Sequence, residues 1–303
     1  MKLSVVVSVY NEDQVIQQFH ESLNAVLNSL TMDFEIIYVN DGSTDNSATI
    51  IEGFAESNHK IKNICFSRNF GHEAAMIAGI DYATGDAVIC MDSDLQHPPT
   101  VIPEMIHCFE KNKVEIISMV RTNNSHKSPS PLFYQLLNKI SPYEITANAS
   151  DFFLISAKVA DILRNDYRER VRFLRGFIQI IGFKKMNLEF QVDERKGGKS
   201  KYSIRKLVSL SVTAVATLSK LPLKFGIYMG LASGLFSILL AVYSVVMKFI
   251  DQPVSGYTTI VVFLGLMFSI QFVILGILGE YIGFLFDEQK KRPIYIVEKT
   301  SNI

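Results

Sequence analysis

No charge of either sign dominates this chain: 30 Lys and Arg are set against 30 Asp and Glu, so no global excess argues for a nucleic-acid partner. Cysteine is scarce. Cys65, Cys90 and Cys108 show no CxxC or Cys/His ligand spacing, and each lies in or beside an apolar run. That pattern reads as reduced, buried thiols rather than a zinc site or a disulfide framework. Tryptophan is missing altogether. A cleavable leader is not expected: the apolar core of Met1–Tyr10 runs straight into Asn11-Glu12 with no small-residue cleavage site, so it reads as a buried first strand.

What is present falls into two parts. Over roughly the first 200 residues, β-branched runs alternate with amphipathic stretches. Strands are expected at Leu3–Val9, Phe34–Val39, Ile61–Phe66, Ala87–Met91 and Val114–Val120. Helices are expected at Gln14–Leu30, Asp45–Ser57, His72–Ala83 and Thr100–Lys111. This alternation predicts an α/β fold built from right-handed βαβ units, with a mostly parallel sheet and helices on both faces.

The last third reads as a two-helix transmembrane hairpin. Phe225–Met247 and Gln252–Gly279 carry no charge, and the shorter run spans about 34 Å as a helix against a hydrocarbon core of about 30 Å. Two buried helices of a soluble domain would need a core that this length cannot supply. Lys199, Lys201, Arg205, Lys206, Lys220 and Lys224 precede the hairpin; Lys290, Lys291 and Arg292 follow it; the turn carries one Lys and one Asp. Both ends are therefore expected on the cytoplasmic side. Tyr202–Lys220 reads either as an interfacial helix or as an ordinary surface helix. The expected division is 1–200 catalytic, 201–224 juxtamembrane, 225–286 membrane hairpin and 287–303 cytoplasmic tail.

Ligands of open α/β sheets bind beyond the carboxyl ends of the strands. There the sequence places Tyr10-Asn11-Glu12, then Asn40-Asp41-Gly42-Ser43, then Ser67-Arg68-Asn69, then Asp92-Ser93-Asp94. Any one cluster has ordinary turn chemistry; four in register mark a site. Asp92 and Asp94, with Gln96 two residues on, form an oxygen-donor set for Mg²⁺ or a relative that keeps positions open for substrate phosphates. Such a cation would offset charge on a diphosphate leaving group. An anionic acceptor would need cations, and Arg121, Arg170, Arg172, Arg175, Arg195, Lys199 and Lys201 are the supply.

DSDLQHPP at Asp92–Pro99 resembles the DxD box of family 2 glycosyltransferases that make polyprenyl-phosphate sugars, the bactoprenol glucosyltransferase and dolichol-phosphate mannosyltransferase types. The resemblance continues through VYNE at Val9–Glu12, NDGSTD at Asn40–Asp45, SRNFGHE at Ser67–Glu73 and SDF at Ser150–Phe152. It extends through RVRFLRG at Arg170–Gly176, GKSKY at Gly198–Tyr202 and Leu278–Val297, which takes in essentially the whole chain. It implies a GT-A fold, a divalent metal (Mg or Mn), a nucleotide-sugar donor, a polyprenyl-phosphate acceptor such as undecaprenyl phosphate, and inversion at the anomeric carbon. It implies donor contacts from Tyr10, Asn11, Glu12, Asp41, Ser43, Arg68 and Asp92, metal contacts from Asp92, Asp94 and Gln96, and a base near the acceptor at Asp151. A phosphomonoester is already largely ionised near pH 7, its second pKa being about 6. Asp151 is thus expected to orient the acceptor rather than remove a full proton; a structural aspartate at a helix start is the competing reading.

Three positions depart from the family pattern: Ser8 in place of Pro, Phe153 in place of Arg, and Ile180 in place of Trp. None of them is expected to touch the metal box. A processive polysaccharide synthase, which resembles this chain at the donor site, would carry a Gln-x-x-Arg-Trp motif and more spans. A nucleotidyltransferase would carry a glycine-rich basic loop after the first strand. The remaining alternatives are a non-catalytic membrane scaffold and transfer to another membrane lipid. The sugar, and UDP against GDP, stay open, with a UDP-sugar favoured. A small hairpin anchor is compatible with a homo-oligomer.

Overall fold

The computed structural model describes residues 1–122, 146, 149–169, 174–191, 221–250 and 256–303. Arg170, Arg172, Arg195, Lys199, Lys201 and the Tyr202–Lys220 segment lie outside the described residues. Two compact units emerge, Met1–Ala214 with Arg292–Ile303, and Val215–Lys291.

The first unit is built on β1 (Lys2–Val9), β2 (Asp33–Asn40), β3 (Ile61–Phe66), β4 (Ala87–Asp92), β5 (Ile116–Arg121), β6 (Ala149–Ser156), β7 (Lys185–Phe190) and β8 (Val297–Ser301). Its helices are α1 (Ile16–Asn28), α2 (Ser47–Ser57), α3 (His72–Tyr82), α4 (Ile102–Asn112), α5 (Ala157–Asn165) and α6 (Leu174–Ile180). The strand order is β7-β5-β6-β4-β1-β2-β3-β8. The four central strands, β3-β2-β1-β4, are parallel. The chain steps outward from β1 to β3, then returns to the other side of β1 for β4. That reversal makes the β1/β4 crevice a topological switch point, where open α/β sheets bind ligands.

Both faces of the sheet are covered, as the unbroken apolar runs require. Val5 and Val7 belong to one core with Phe19 and Leu23 of α1 and Met105 of α4. Val6 turns to the opposite core, with Ala74–Ala78 of α3 and Val159 of α5. At Gly79 a Cβ would stand 2.0 Å from a Val6 methyl, so α3 lies against β1 more closely than any side chain permits.

β6 runs antiparallel between β4 and β5, with Cys90 opposite Phe153. This register brings the first residues of β6 to the carboxyl end of β4. Asp151 therefore lies in a strand, not at a helix start. β8 pairs antiparallel with β3, Asn63 opposite Ser301, so the segment expected to be a tail completes the sheet. Ser67 N–H donates to the Ile296 carbonyl at 3.0 Å, and the Tyr295 ring stacks on Phe66 with centroids 5.0 Å apart. The Tyr295 hydroxyl donates to Asp81 at 2.6 Å, and Arg168 reaches the same carboxylate at 2.8 Å.

At the opposite, amino-terminal end of the central strands, Glu35 is buried beneath Lys2 and Lys62, at 2.9 and 3.1 Å. Burial raises its pKa, but hydrogen bonds from Ser4, Lys2, the Thr84 backbone and Lys62 bring it down to about 2. A depressed carboxylate contributes stability above its unfolded value near 4.5 and loses it as pH falls toward 2. Glu35→Gln is expected to lower stability by about 2 kcal/mol at pH 7 and to flatten the acid limb between pH 4.5 and 2, read by thermal unfolding across pH. An unchanged acid limb would remove Glu35 from that role.

The second unit consists of α7 (Leu221–Phe249) and α8 (Tyr257–Gln289), within which Leu223–Met247 and Val262–Gln289 are long and apolar enough to cross a membrane. Gly226 packs on Ile274, and Phe236 meets Phe263 at 6.0 Å. Leu231, Phe272 and Leu285 are more than two-thirds exposed, an apolar surface far larger than water tolerates on a soluble unit. Ser237 and Ser269 donate to backbone carbonyls one turn earlier, at 2.8 Å, which satisfies their hydroxyls without water. α8 continues about ten residues past the uncharged run and carries Glu280, Asp287 and Glu288 there.

Candidate functional site

Five strand ends meet at the switch point: the carboxyl ends of β1, β2, β3 and β4, and the start of β6. The loops after β1 and β2 interlock. Asn11 adopts a left-handed backbone, φ 54°, and its N–H donates to Ser43 Oγ at 3.0 Å. Its side-chain oxygen accepts from Thr44 N–H at 2.8 Å, while Glu12 N–H donates to Ser47 Oγ at 2.9 Å. Asn11 and Ser43 thus tie the two loops together, and Tyr10 stands exposed beside them.

Asp41 is buried, and its carboxylate accepts from Phe70 N–H at 2.6 Å, Gly71 N–H at 2.9 Å and Asn69 Nδ2 at 3.0 Å. Burial raises its pKa, more than these amides lower it. Asp41 therefore anchors the loop that carries Arg68, whose exposed guanidinium lies 4.0 Å over the Phe70 ring. Gly42 lies between the two loops at φ 64°, where a Cβ would stand 2.4 Å from the Arg68 carbonyl carbon. Gly42→Ala is expected to displace the 67–71 loop and to lower stability by about 1–3 kcal/mol, read by thermal unfolding. An unchanged midpoint would show that the two loops do not need this close approach.

The acidic centre is tighter than the sequence suggests. Ser8 Oγ donates to Asp92 Oδ1 at 3.1 Å and lies 3.0 Å from His72 Nδ1, and Ser93 Oγ donates to the Ser8 carbonyl at 3.0 Å. The expectation that Ser8 stays clear of the metal box is therefore wrong: a serine can bond Asp92, as a proline in its place could not. His72 lies between two carboxylates, 3.4 Å from Asp92 and 3.7 Å from Asp151. Burial opposes its charge, yet Asp92, Asp151 and Glu73 raise its pKa to about 10. Asp92 is pushed up by burial, drawn down by His72, and pushed up again by Asp94 and Asp151, reaching about 6.

Asp151 is the fixed anion of the group. Arg175 grips both its oxygens, Nε to Oδ1 at 3.0 Å and Nη2 to Oδ2 at 2.5 Å. Burial would raise this carboxyl, but Arg175 and His72 hold it well below the ordinary range. Of the expected phosphate cations, then, Arg175 is placed on Asp151. Arg121, at the end of β5, has a buried Nε with no hydrogen-bond partner among the described residues.

A divalent cation suits this donor set. Asp92 is raised first by burial and then by Asp94 and Asp151, which His72 only partly offsets, so a further positive charge beside it would be favourable. Leu95, in the left-handed region at φ 64°, turns the chain directly after the pair, and Gln96 N–H donates back to Asp94 at 3.1 Å. Among the described residues no three His, Cys, Asp or Glu side chains converge as a closed metal cage. A cation held by one or two carboxylates and by substrate phosphates needs none.

His72 and His97 escaped the sequence reading. The signal was available for His72, which opens α3 in the string that carries Arg68, but nothing in that string says that its ring reaches two other strand ends.

Comparison with known proteins follows the same lines. The family model "Glycosyl transferase family 2" matches residues 4–163. The chain is 37% identical over its whole length to an uncharacterized glycosyltransferase, YkcC, of Bacillus subtilis, covering 95% of that protein. It is 34% identical to the SfII prophage-derived bactoprenol glucosyl transferase of Shigella flexneri, covering 99% of this chain and 98% of that one. Among solved structures, mannosyl-3-phosphoglycerate synthase from Rubrobacter xylanophilus superposes with TM-score 0.51 at 15% identity, over 72% of this chain and 73% of that one. Glucosyl-3-phosphoglycerate synthase from Mycobacterium tuberculosis, in complex with Mn²⁺, UDP and phosphoglyceric acid, gives 0.50 at 17% identity, over 72% and 77%. The sheet is therefore of the GT-A-like kind.

Proposed function

Since this chain belongs to glycosyl transferase family 2, we propose that it moves a hexose or N-acetylhexosamine from a nucleotide-sugar, a UDP-sugar first of all, to a polyprenyl phosphate such as undecaprenyl phosphate. The observation that carries the proposal is the Asp92–His72–Asp151–Arg175 cluster at the switch point, in a chain that also carries two long apolar helices. The near full-length similarity to a bactoprenol glucosyl transferase supports the same acceptor.

The donor lies across the β1/β2 rim, with Tyr10, Asn11, Glu12, Asp41, Ser43 and Arg68 shaping the nucleoside and diphosphate pocket. Asp92, Asp94 and Gln96 would hold Mg²⁺ or Mn²⁺, whose chemistry is Lewis-acid stabilisation of the departing diphosphate. The acceptor phosphate is its own nucleophile, ionised near pH 7. Asp151 need not take a proton, and its depressed pKa fits that. Its work is to hold Arg175 and His72 in place, so that cations face the incoming phosphate while an anion stands opposite developing positive charge on the sugar ring. Attack from the face opposite the diphosphate inverts the anomeric carbon. Arg121, whose Nε has no hydrogen-bond partner among the described residues, would contact the phosphate from the end of β5; Arg170, Arg172, Arg195, Lys199 and Lys201 are the further supply.

The catalytic unit sits at the cytoplasmic face in this reading. β8 and β1 share one sheet, which supports an even number of crossings between them, and the basic flanks supply the direction. The test is incubation of detergent-purified protein with undecaprenyl phosphate, Mn²⁺ or Mg²⁺ and a panel of labelled nucleotide-sugars, followed by chromatography of the lipid. One donor should label the lipid, and EDTA should abolish the label. No labelled lipid from any donor, in folded protein that still binds UDP, would point to a scaffold or another acceptor.

A further inference from the structure

His97 lies five residues beyond Asp92 and is fully buried. Its Nδ1 accepts a hydrogen bond from the Asp92 backbone N–H at 2.9 Å. A nitrogen that accepts carries no proton, so the ring proton is on Nε2, which faces Ser150 Oγ at 3.1 Å. Ser150 Oγ also accepts from Phe152 N–H at 2.9 Å, which fixes the hydroxyl within β6. The ring is clamped on its faces and edge as well, stacked on Phe152 at 5.1 Å and meeting Phe190 edge-on at 5.9 Å. A buried ring hydrogen-bonded through both nitrogens is held in place rather than free to exchange a proton with solvent. Its two bonds go to the residue that opens the metal box and to the residue preceding Asp151.

We propose that His97 is a positioning residue: a neutral bridge between the end of β4 and the start of β6 that sets the spacing between Asp92 and Asp151. β4 and β6 are paired only as far as Cys90 and Phe153. Beyond that point the His97 bridge replaces the ladder, joining the two strands where their backbones part. The two functions it links, donor diphosphate on one strand and acceptor phosphate on the other, must stand in line for displacement, and an error of about 1 Å in such an arrangement costs on the order of 10²-fold. This inference rests on the transfer reaction proposed above, but the bridge can be read without it.

Three full-length variants in detergent test it. His97→Phe keeps a stacking ring and loses both hydrogen bonds. His97→Asn retains an acceptor for the Asp92 N–H alone, and Ser150→Ala removes the Nε2 partner. The expected result is a fall in kcat of about 30-fold or more for His97→Phe, and of about 3–10-fold for each of the other two. KM for the donor and UDP affinity with Mn²⁺ should change far less than kcat, and the lower unfolding midpoint expected from the Asp92 N–H left without its acceptor should leave the protein folded at the assay temperature. Combining His97→Phe with Ser150→Ala should cost no more than His97→Phe alone, because both break one bridge. Unchanged kcat in all three variants, or losses that only track the folded fraction, would overturn the proposal. Histidine ¹⁵N NMR supplies the activity-independent reading: one ring neutral and protonated at Nε2 at pH 7, its signals displaced in Ser150→Ala. A charged or Nδ1-protonated ring would overturn the bridge. Wild-type protein that labels no lipid would instead remove the proposed function, with the NMR result still deciding the bridge.

Discussion

Asp94→Asn is expected to lower sugar transfer by about 10³-fold at saturating donor, and EDTA should reproduce the loss in the wild type. The argument is one of charge rather than of scaffold. Asp94 is half-buried and bonds the Gln96 N–H at 3.1 Å, a contact that an asparagine oxygen retains. What disappears is one of two adjacent negative charges. Without a metal that loss is a relief, because Asp94 is among the groups that push Asp92 up to about 6. The metal-free variant should therefore unfold at the same temperature as wild type or slightly above it, a site that gives up stability for function. Single-turnover assays and thermal scans with and without Mn²⁺ separate the two effects. Full activity in Asp94→Asn would remove it from the metal site.

Asp151→Asn should cost about 10²–10³-fold in kcat and, unlike Asp94→Asn, about 2 kcal/mol of stability. Here a fixed anion between two cations is removed, leaving Arg175 and His72 facing a neutral amide at 2.5 and 3.7 Å. Removing one partner of a partly buried pair leaves the other uncompensated. Asp151→Asn combined with Arg175→Gln should recover part of the unfolding midpoint and none of the activity. That contrast distinguishes an oriented ion pair from a proton acceptor. If the pH profile of the single variant showed the loss of a base titrating near neutrality, the orienting role would be wrong.

The elements that could be read from sequence are those whose strands are buried on both faces. β1 to β5 and α1 to α4 fall within two residues of their expected limits, because apolar runs such as Val5–Val7 and Ile36–Val39 admit few other structures. The strands that escaped are of other kinds. β6 opens with Ala149-Ser150-Asp151, polar residues that mark function and conceal a strand. β7 alternates exposed and half-buried positions through Lys185–Phe190, and β8 is mostly charged or polar, Val-Glu-Lys-Thr-Ser. Edge strands of this sort are held by backbone hydrogen bonds, which leave no hydropathy trace. The site divides similarly. Asp41, Asp92 and Asp94 could be placed at one sheet edge because they lie at or just past strand ends, and Asp151 only through the family resemblance, whereas the Arg175–Asp151 grip and the Ser8–Asp92 bond join positions 24 and 84 residues apart. No spacing rule connects such residues; only the strand order does.

β8 also imposes an order in time. It pairs with β3, yet about 230 residues of chain, both apolar helices among them, separate the two strands. At a synthesis rate of about 5–20 residues per second, β3 waits on the order of 10–50 s on the ribosome as an open, sticky edge. In the membrane topology proposed above, the apolar helices leave the exit tunnel and meet the bilayer before β8 emerges. Closure of the sheet is then a late event that follows insertion, and a nascent chain stalled before it keeps an unfinished edge for chaperones and proteases to recognise.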